Sequence, residues 1–519
     1  MFDSLYKRLK TVDVSAQQLD HGRKKSEIRE AMLGYIASFG LSMMKDLYLR
    51  NTDSVGFLLS MRCIIEGLAV YFYTDKETIT EQQEEIFKLQ SYFIEKEIYE
   101  RYSSLDGVIF DLKIIKDNFE STKQYILDKY KYSSKQLREL LRSKVPFLGS
   151  VQSFEKLIRD NLSNELLLLY KTLSLYVHPY DYRLNDPDFF ADLSIILYSL
   201  LNVVFKDTAP SEKGLEFEYN RVIGYNEFGL ITREKTHKQR EKLNELCKML
   251  DKNNFNFMAY SLETCGVVLF DYLLDIAFGY TEQSTTKWKT SIENLWMFNK
   301  CIEDDQTSKS NEFMHYHSQI KQAINSGIEL TDNYFQPAYE IYLNKYKNGC
   351  SFDKFKKMFV TTTGYTINEV GEISYLRTSI FDFIDIISKN VNGGKIDCIV
   401  KQEPFSKLTE QDYSNINEIE ISPYLKMKYD ESQAMSHASG YLYYCLSGAW
   451  YDGTLLAYLY DELLQALLIK LYKRLQILYI ENKVEKTIIN FIRNFINENK
   501  DYIARKKQIY LMPKVKKIY

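Results

Sequence analysis

The sequence predicts an all-α protein made of two related helical bundles in tandem, with small irregular or hairpin insertions. Only 8 Pro and 21 Gly occur among 519 residues, so residues that break helices are scarce. Hydrophobic residues make up 45% and charged residues 26%, which is ordinary for a folded soluble protein. A chain this long exceeds one small core, and a polar pattern that recurs in its two halves favours a duplication.

The first predicted module covers residues 1–206. Two apolar helices fill residues 25–75, and the run Asn51–Ser54 offers candidate N-caps to the second of them. Charged amphipathic helices are expected over residues 80–130. The segment SSKQLRELLRSKV then begins another helix, with Ser as its cap. Apolar helical segments close this module.

Residues 207–235 are predicted to be a linker, because Pro, Gly and short β-like runs interrupt the helical pattern. The second predicted module covers residues 236–480. Its helices continue to about residue 388 and resume at about residue 424, on either side of an irregular insertion near 389–423. Residues 481–519 are expected to form a C-terminal helix and a basic tail.

The most apolar long stretch, FMAYSLETCGVVLFDYLLDIAFGY, predicts a buried helix and not a membrane span. It contains Glu263, Asp271 and Asp275, and a bilayer would penalise these charges. The N-terminal residues lack the apolar core of a signal peptide. The seven Cys show no CxxC spacing, so neither a zinc ribbon nor a disulfide framework is indicated. These features predict a cytoplasmic protein with no membrane contact.

The repeated pattern begins with a buried-looking carboxylate in each half. Arg62 stands four residues before Glu66, and Lys289 stands four residues before Glu293. Both carboxylates lie in otherwise apolar helical segments, where an unpaired charge is costly. Each glutamate therefore predicts a polar partner from another helix.

A second pair of matching segments supplies candidate partners. Tyr170 precedes His178 by eight residues, and Tyr429 precedes His437 by the same spacing. The offset between halves is 227 residues at the glutamates and 259 at the histidines, so the second copy carries about thirty extra residues, assigned to the insertion near 389–423. We expect Glu66 to meet His178 in one bundle and Glu293 to meet His437 in the other. Such pairs suit either acid/base chemistry or a buried network that fixes two helices, and the network is favoured.

These motifs resemble a bacterial all-helical domain family of unknown function. Its members share an Arg-x-x-x-Glu helix and a later Tyr…Ser-x-x-x-His stretch, which match Arg62, Glu66, Ser174 and His178. The second half keeps the Glu and the His but has Lys in place of Arg. The resemblance implies an all-helical fold and supplies no activity.

A more distant resemblance is to HEPN ribonucleases and antiphage toxins, helical bundles that pair two Arg…His motifs at a dimer seam. A tandem chain with His178 and His437 would mimic such a dimer, so the resemblance implies a metal-independent ribonuclease that uses these two histidines as catalytic groups. In the acid/base interpretation of the polar pairs, Glu66 and Glu293 would be the catalytic partners of the histidines. The Arg expected shortly before each His is absent from this sequence. Without that Arg, the motif provides no positive charge to stabilise the pentacoordinate phosphate of the transition state.

The C-terminal tail is the third candidate site. Its basic residues are Arg505, Lys506, Lys507, Lys514, Lys516 and Lys517. Such a cluster is typical of a solvated helix end that complements the helix dipole, and it also suits contact with a phosphate backbone. Nucleic-acid binding through this tail therefore stays open.

The sequence alone favours a non-catalytic cytoplasmic protein of interaction or sensing, placed by resemblance in bacterial antiphage or stress responses. Whether it is an enzyme stays open. A ribonuclease or toxin and a nucleic-acid binder are the alternatives. No metal and no cofactor are expected. The expected partner is an unidentified protein or RNA, and a homo-oligomer is left open.

Overall fold

The computed structural model describes residues 2–20, 28–49, 54–103, 112–142, 145, 153–177, 187–212, 214–216, 237–278, 286–303, 323, 330–345, 349–360, 365–367, 373–399, 416–437 and 450–511. Helices dominate these ranges, which confirms the predicted all-α class.

Nine helices of the first half are described. They are α1 (Phe2–Asp20), α2 (Ile28–Tyr48), α3 (Val55–Lys76), α4 (Glu81–Arg101), α5 (Leu112–Tyr130), α6 (Ser134–Leu141), α7 (Phe154–Asn161), α8 (Asn164–Tyr176) and α9 (Pro187–Val204). Two predicted caps are confirmed. The Ser54 side chain accepts from the backbone N–H of Phe57 at 2.9 Å, and Ser133 forms a reciprocal capping box with Gln136.

Nine further helices are described in the second half. They are α10 (His237–Lys252), α11 (Asn256–Phe278), α12 (Trp288–Glu303), α13 (Asp332–Lys345), α14 (Phe352–Val360), α15 (Leu376–Ser388), α16 (Ile421–Met435), α17 (Trp450–Ile480) and α18 (Lys486–Leu511). The predicted linker at 207–235 lies largely outside the described residues.

Two antiparallel hairpins interrupt the second half. Strands β3 (Lys395–Ile399) and β4 (Ile416–Glu420) pair in the register Lys395 to Glu420, between α15 and α16 and within the range of the predicted insertion. Strands β1 (Tyr365–Ile367) and β2 (Ile373–Tyr375) pair within a stretch predicted to be helical, and that expectation was wrong. Both short strands consist of Tyr, Thr, Ser and Ile, most of which favour extended backbone.

The helices pack in a corresponding order in the two halves. In the first half α1 packs on α2, α2 on α3, and α3 on both α7 and α8. In the second half α10 packs on α11, α11 on α12, and α12 on both α15 and α16. The halves meet where α3 contacts α11 and where α4 contacts α16. Most of their buried apolar side chains form one continuous core.

Two of the described helices are long and apolar enough to cross a membrane by length and composition. These are α3 and the Asn256–Asp275 part of α11, with 89% and 67% of the apolar window buried inside the protein. The predicted buried helix is confirmed, since Asp271 and Asp275 lie within the protein core. Such burial is typical of core helices in a soluble protein.

Candidate functional site

Glu66 is the centre of a polar cluster where the two halves of the chain meet. It sits on α3, which is buried along most of its length, and its side chain is fully buried. Arg62, one helical turn earlier, lies on the same face and is 8% exposed. A carboxylate at this depth requires hydrogen-bond donors around it, because desolvation strongly disfavours an isolated charge.

Three donors from three elements meet this carboxylate. The Tyr170 hydroxyl on α8 donates to Glu66 Oε1 at 2.9 Å, and Arg62 Nη2 donates to the same oxygen at 3.3 Å. His437 Nδ1, just beyond the end of α16, lies 3.2 Å from Oε1 and 3.4 Å from Oε2. We call Arg62, Glu66, Tyr170 and His437 the junction, because its histidine belongs to the second half and its other members to the first.

The electrostatics of the junction keep two of its donors, Tyr170 and Arg62, protonated. Burial, followed by the charge of Glu66, raises the pKa of Tyr170, so the phenol remains a neutral donor. Burial alone would lower the pKa of Arg62, but Tyr170 and Glu66 hold it above its ordinary value. The carboxylate thus has a fixed cation and a fixed hydroxyl beside it.

His437 is held on two sides. Its ring stacks on Phe154 of α7, with ring centroids 6.1 Å apart and an interplanar angle of 11°. The carboxylate of Glu66 favours the tautomer with a proton on Nδ1, since an unprotonated nitrogen would repel it. Arg62 Nη2 lies 3.4 Å from the same Nδ1. The imidazole is 21% exposed, so part of it reaches the surface.

A buried thiol forms a hydrogen bond with the residue just before His437. Cys63 on α3 donates to the backbone carbonyl of Ser436 at 3.4 Å. Burial raises the pKa of the Cys63 thiol to about 12, so it stays protonated and is a poor nucleophile. The contact is therefore structural, and the junction has no activated thiol.

The second half contains an equivalent arrangement around Glu293 on α12. The Tyr429 hydroxyl on α16 donates to Glu293 Oε1 at 2.8 Å, and both residues are buried. Lys289 Nζ lies 5.8 Å from the centre of the Tyr429 ring. The Lys289 backbone N–H donates to Ser432 Oγ at 2.9 Å, which joins the start of α12 to α16.

The structure brings together only some of the predicted site residues. His437 was expected to meet Glu293 within the second half, but it meets Glu66 of the first half instead. The reason is that His437 follows the end of α16, at a point where the chain reaches α3. His178 lies outside the described residues, so its predicted pairing with Glu66 stays a prediction.

The basic tail is described only in part. Arg505, Lys506 and Lys507 lie on α18, with side chains outside the described set. Lys514, Lys516 and Lys517 lie beyond the described residues. Nucleic-acid contact by the tail stays a prediction.

Sequence reasoning missed the role of the two tyrosines. Tyr170 and Tyr429 were recognised as repeated positions but not as the donors to Glu66 and Glu293. The signal was present, because each tyrosine keeps the same spacing to its histidine. Phe154, which stacks on the imidazole, carried no signal in the sequence.

A second buried polar cluster joins α2, α11 and the turn before α12. Lys45 pairs with Asp46 at 3.4 Å and also with Asp275, and Lys287 pairs with Asp275 from the other side. Asp271 accepts from the backbone N–H of Gly56 at 3.2 Å. All the charged members are buried, so this cluster is a second polar contact between the halves.

Chemically, the junction offers an oriented imidazole beside a guanidinium. The carboxylate is already bonded to three donors, so it orients His437 and does not serve as a free base. Among the described residues, no group of His, Cys, Asp and Glu has the arrangement of a metal site. Comparison with family models, curated proteins and solved structures finds no match for this chain.

Proposed function

We propose that the chain is a tandem of two related helical modules that acts as a non-catalytic interaction or sensing protein in the cytoplasm. The junction then serves to hold the two modules in one arrangement. The observation that carries this proposal is the bonding of fully buried Glu66 to three donors, one of them from the other half. A bacterial antiphage or stress context rests on the resemblance of the motifs alone.

The positions of the helices support a duplication. Glu293 follows Glu66 by 227 residues, and Ser388 at the end of α15 follows Asn161 at the end of α7 by the same number. Beyond α7 and α15 the distance in sequence between equivalent residues is larger, because Tyr429 follows Tyr170 by 259 residues. The change falls where the β3–β4 hairpin separates α15 from α16, while only two residues separate α7 from α8. One inserted hairpin therefore accounts for both offsets.

The burial of the junction favours a structural role over a catalytic one. Arg62 and Glu66 are almost completely enclosed, whereas groups that contact a polymeric substrate need an open approach. Removing one member of a buried hydrogen-bonded set leaves the other members without partners, which costs free energy of folding. Such sets therefore fix the relative positions of the helices that carry them. Contact between the modules is thus the role that suits these residues best.

One observation favours the ribonuclease alternative. The sequence lacks an Arg next to either His, but Arg62 reaches His437 from the other half, with Nη2 and Nδ1 3.4 Å apart. An imidazole beside a guanidinium is a suitable pair for acid/base work on a phosphodiester. A metal-independent ribonuclease with His437 as its acid or base is therefore the second candidate.

Incubation of the purified full chain with total RNA, from about pH 5 to about pH 9, separates the two candidates. We expect no cleavage by the wild-type chain or by His437→Ala. A matched control is Glu293→Gln, which changes a buried carboxylate outside the junction. Cleavage by the wild type and by Glu293→Gln, lost in a folded His437→Ala variant, would overturn the non-catalytic proposal.

A further inference from the structure

Two arginines from different halves converge on one buried carboxylate at the contact between α4 and α16. Asp430 on α16 accepts from Nε of Arg377 at 3.1 Å and from its Nη2 at 2.7 Å. The Tyr102 hydroxyl donates to Asp430 Oδ2 at 2.9 Å, and Arg101 Nη1 donates to the same oxygen. Asp430 is 8% exposed, so four donor contacts occupy a carboxylate that water hardly reaches.

The two guanidiniums carry more charge than this carboxylate neutralises. Arg101 and Arg377 together bring two positive charges to a single negative one. Their side chains remain 46% and 42% exposed. Within the part of the chain that the structure describes, Nε and Nη2 of Arg101 and Nη1 of Arg377 donate to no protein acceptor. Both arginines therefore present unused donors to solvent.

The surroundings hold the arginines in place before any ligand arrives. The guanidinium of Arg377 lies 4.4 Å from the centre of the Phe381 ring. The same guanidinium donates two hydrogen bonds to Asp430. Arg101 and Arg377 both bond Asp430 Oδ2, so their bonding nitrogens lie within about 6 Å of each other. A planar guanidinium fixed on one edge loses little conformational entropy when its other edge binds an anion.

We propose that Arg101 and Arg377 form a binding site for a phosphate group, with Asp430 as the residue that positions both. A phosphate carries up to two negative charges and several oxygens in tetrahedral directions, so it accepts from two guanidinium groups at once. The uncompensated positive charge and the exposed donors match these needs. The buried carboxylate keeps the two arginines together despite their mutual repulsion.

A purely structural ion pair between helices is the competing explanation. It accounts for the donors that point at Asp430, but it gives no role to the second arginine. Arg377 and Tyr102 already supply three of the four donor contacts to the carboxylate. Arg101 is therefore the residue whose removal separates the two explanations with the least effect on folding.

Isothermal titration calorimetry of the full chain at low salt tests the site, with inorganic phosphate and adenosine 5′-monophosphate as separate probes. We expect saturable binding to the wild type and about tenfold weaker binding to Arg101→Gln and to Arg377→Gln. Arg159→Gln is the matched control, because Arg159 is exposed and, among the residues that the structure describes, pairs only with its neighbour Asp160. Circular dichroism and thermal melts establish that each variant is folded.

Binding of both probes with similar strength identifies the phosphate group itself as the recognised part. Tighter binding of the nucleotide assigns a phosphomonoester with further contacts. Absence of saturable binding of either probe overturns the proposal. Equal weakening by Arg159→Gln and Arg101→Gln also overturns it, because the effect would then be general surface charge. If Arg377→Gln fails to fold, Arg101→Gln alone decides.

Discussion

Replacing Asp46 by Asn is expected to stabilise the protein at neutral and alkaline pH. Asp46 is buried with Lys45, Asp271, Asp275 and Lys287, so two cations face three carboxylates. The charges balance only when one carboxylate is protonated. Burial, opposed mainly by Lys45, raises the pKa of Asp46 to about 7. Burial also raises the pKa of Asp271, and Asp46 is the carboxylate that we expect to hold the proton in the folded state.

The sign of the pH dependence follows from proton counting. In the unfolded chain Asp46 returns to its ordinary pKa of 3.8, while the folded chain keeps the proton up to about pH 7. Between these values the folded state binds more protons, so the free energy of unfolding falls as pH rises. The contribution of the Asp46 proton to the free energy of unfolding is fully present below about pH 4 and is lost above about pH 7. A difference of roughly three pH units corresponds to on the order of 4 kcal/mol.

The assay is urea denaturation of the wild type and Asp46→Asn at about pH 4 and about pH 8. We expect equal stability at the lower pH and a more stable variant at the higher pH, by a few kcal/mol. Asp385→Asn is a matched control: Asp385 is partly exposed and bonded to Lys426, which keeps its pKa below the ordinary value against the effect of burial. The control is expected to lose a little stability at pH 8. An Asp46→Asn variant less stable than the wild type at that pH would refute the reasoning.

Three further variants test the packing around the glutamates. Tyr170→Phe removes one of three donors to Glu66 and is expected to cost about 1–2 kcal/mol in denaturant unfolding, and an unchanged midpoint would contradict this. Tyr429→Phe is expected to show a similar loss, since it removes the 2.8 Å hydrogen bond to Glu293, and a stabilised variant would be inconsistent with that bond. Phe154→Ala empties a buried site beside the junction and is expected to cost about 3–5 kcal/mol, whereas a loss under about 1 kcal/mol would mean that the ring is not packed there.

Local features of the fold were predictable because they depend on neighbouring residues. The scarcity of Pro and Gly predicted helices, and Ser54 and Ser133 marked two helix starts that the structure confirms. Asp271 and Asp275 within an apolar run identified α11 as a core helix. These inferences need only propensity, capping and the cost of placing charge in a bilayer.

Long-range pairing was not predictable in the same way. Residue spacing shows which side chains share a helix face, but not which of two equivalent helices that face meets. The sequence therefore identified Glu66, Glu293 and His437 as polar residues in need of partners, and assigned His437 to the wrong glutamate. The three-residue strands Tyr365–Ile367 and Ile373–Tyr375 were missed for a similar reason, because their extended backbone depends on pairing with each other and not on local propensity alone.

The partner of His437 is the central claim, and a pair of double-mutant cycles tests it most directly. One cycle combines His437→Ala with Glu66→Gln, and the other combines His437→Ala with Glu293→Gln, each followed by chemical denaturation. We predict a coupling free energy of about 1–3 kcal/mol between His437 and Glu66, and less than about 0.5 kcal/mol between His437 and Glu293. Strong coupling to Glu293 with none to Glu66 would contradict the cross-half junction.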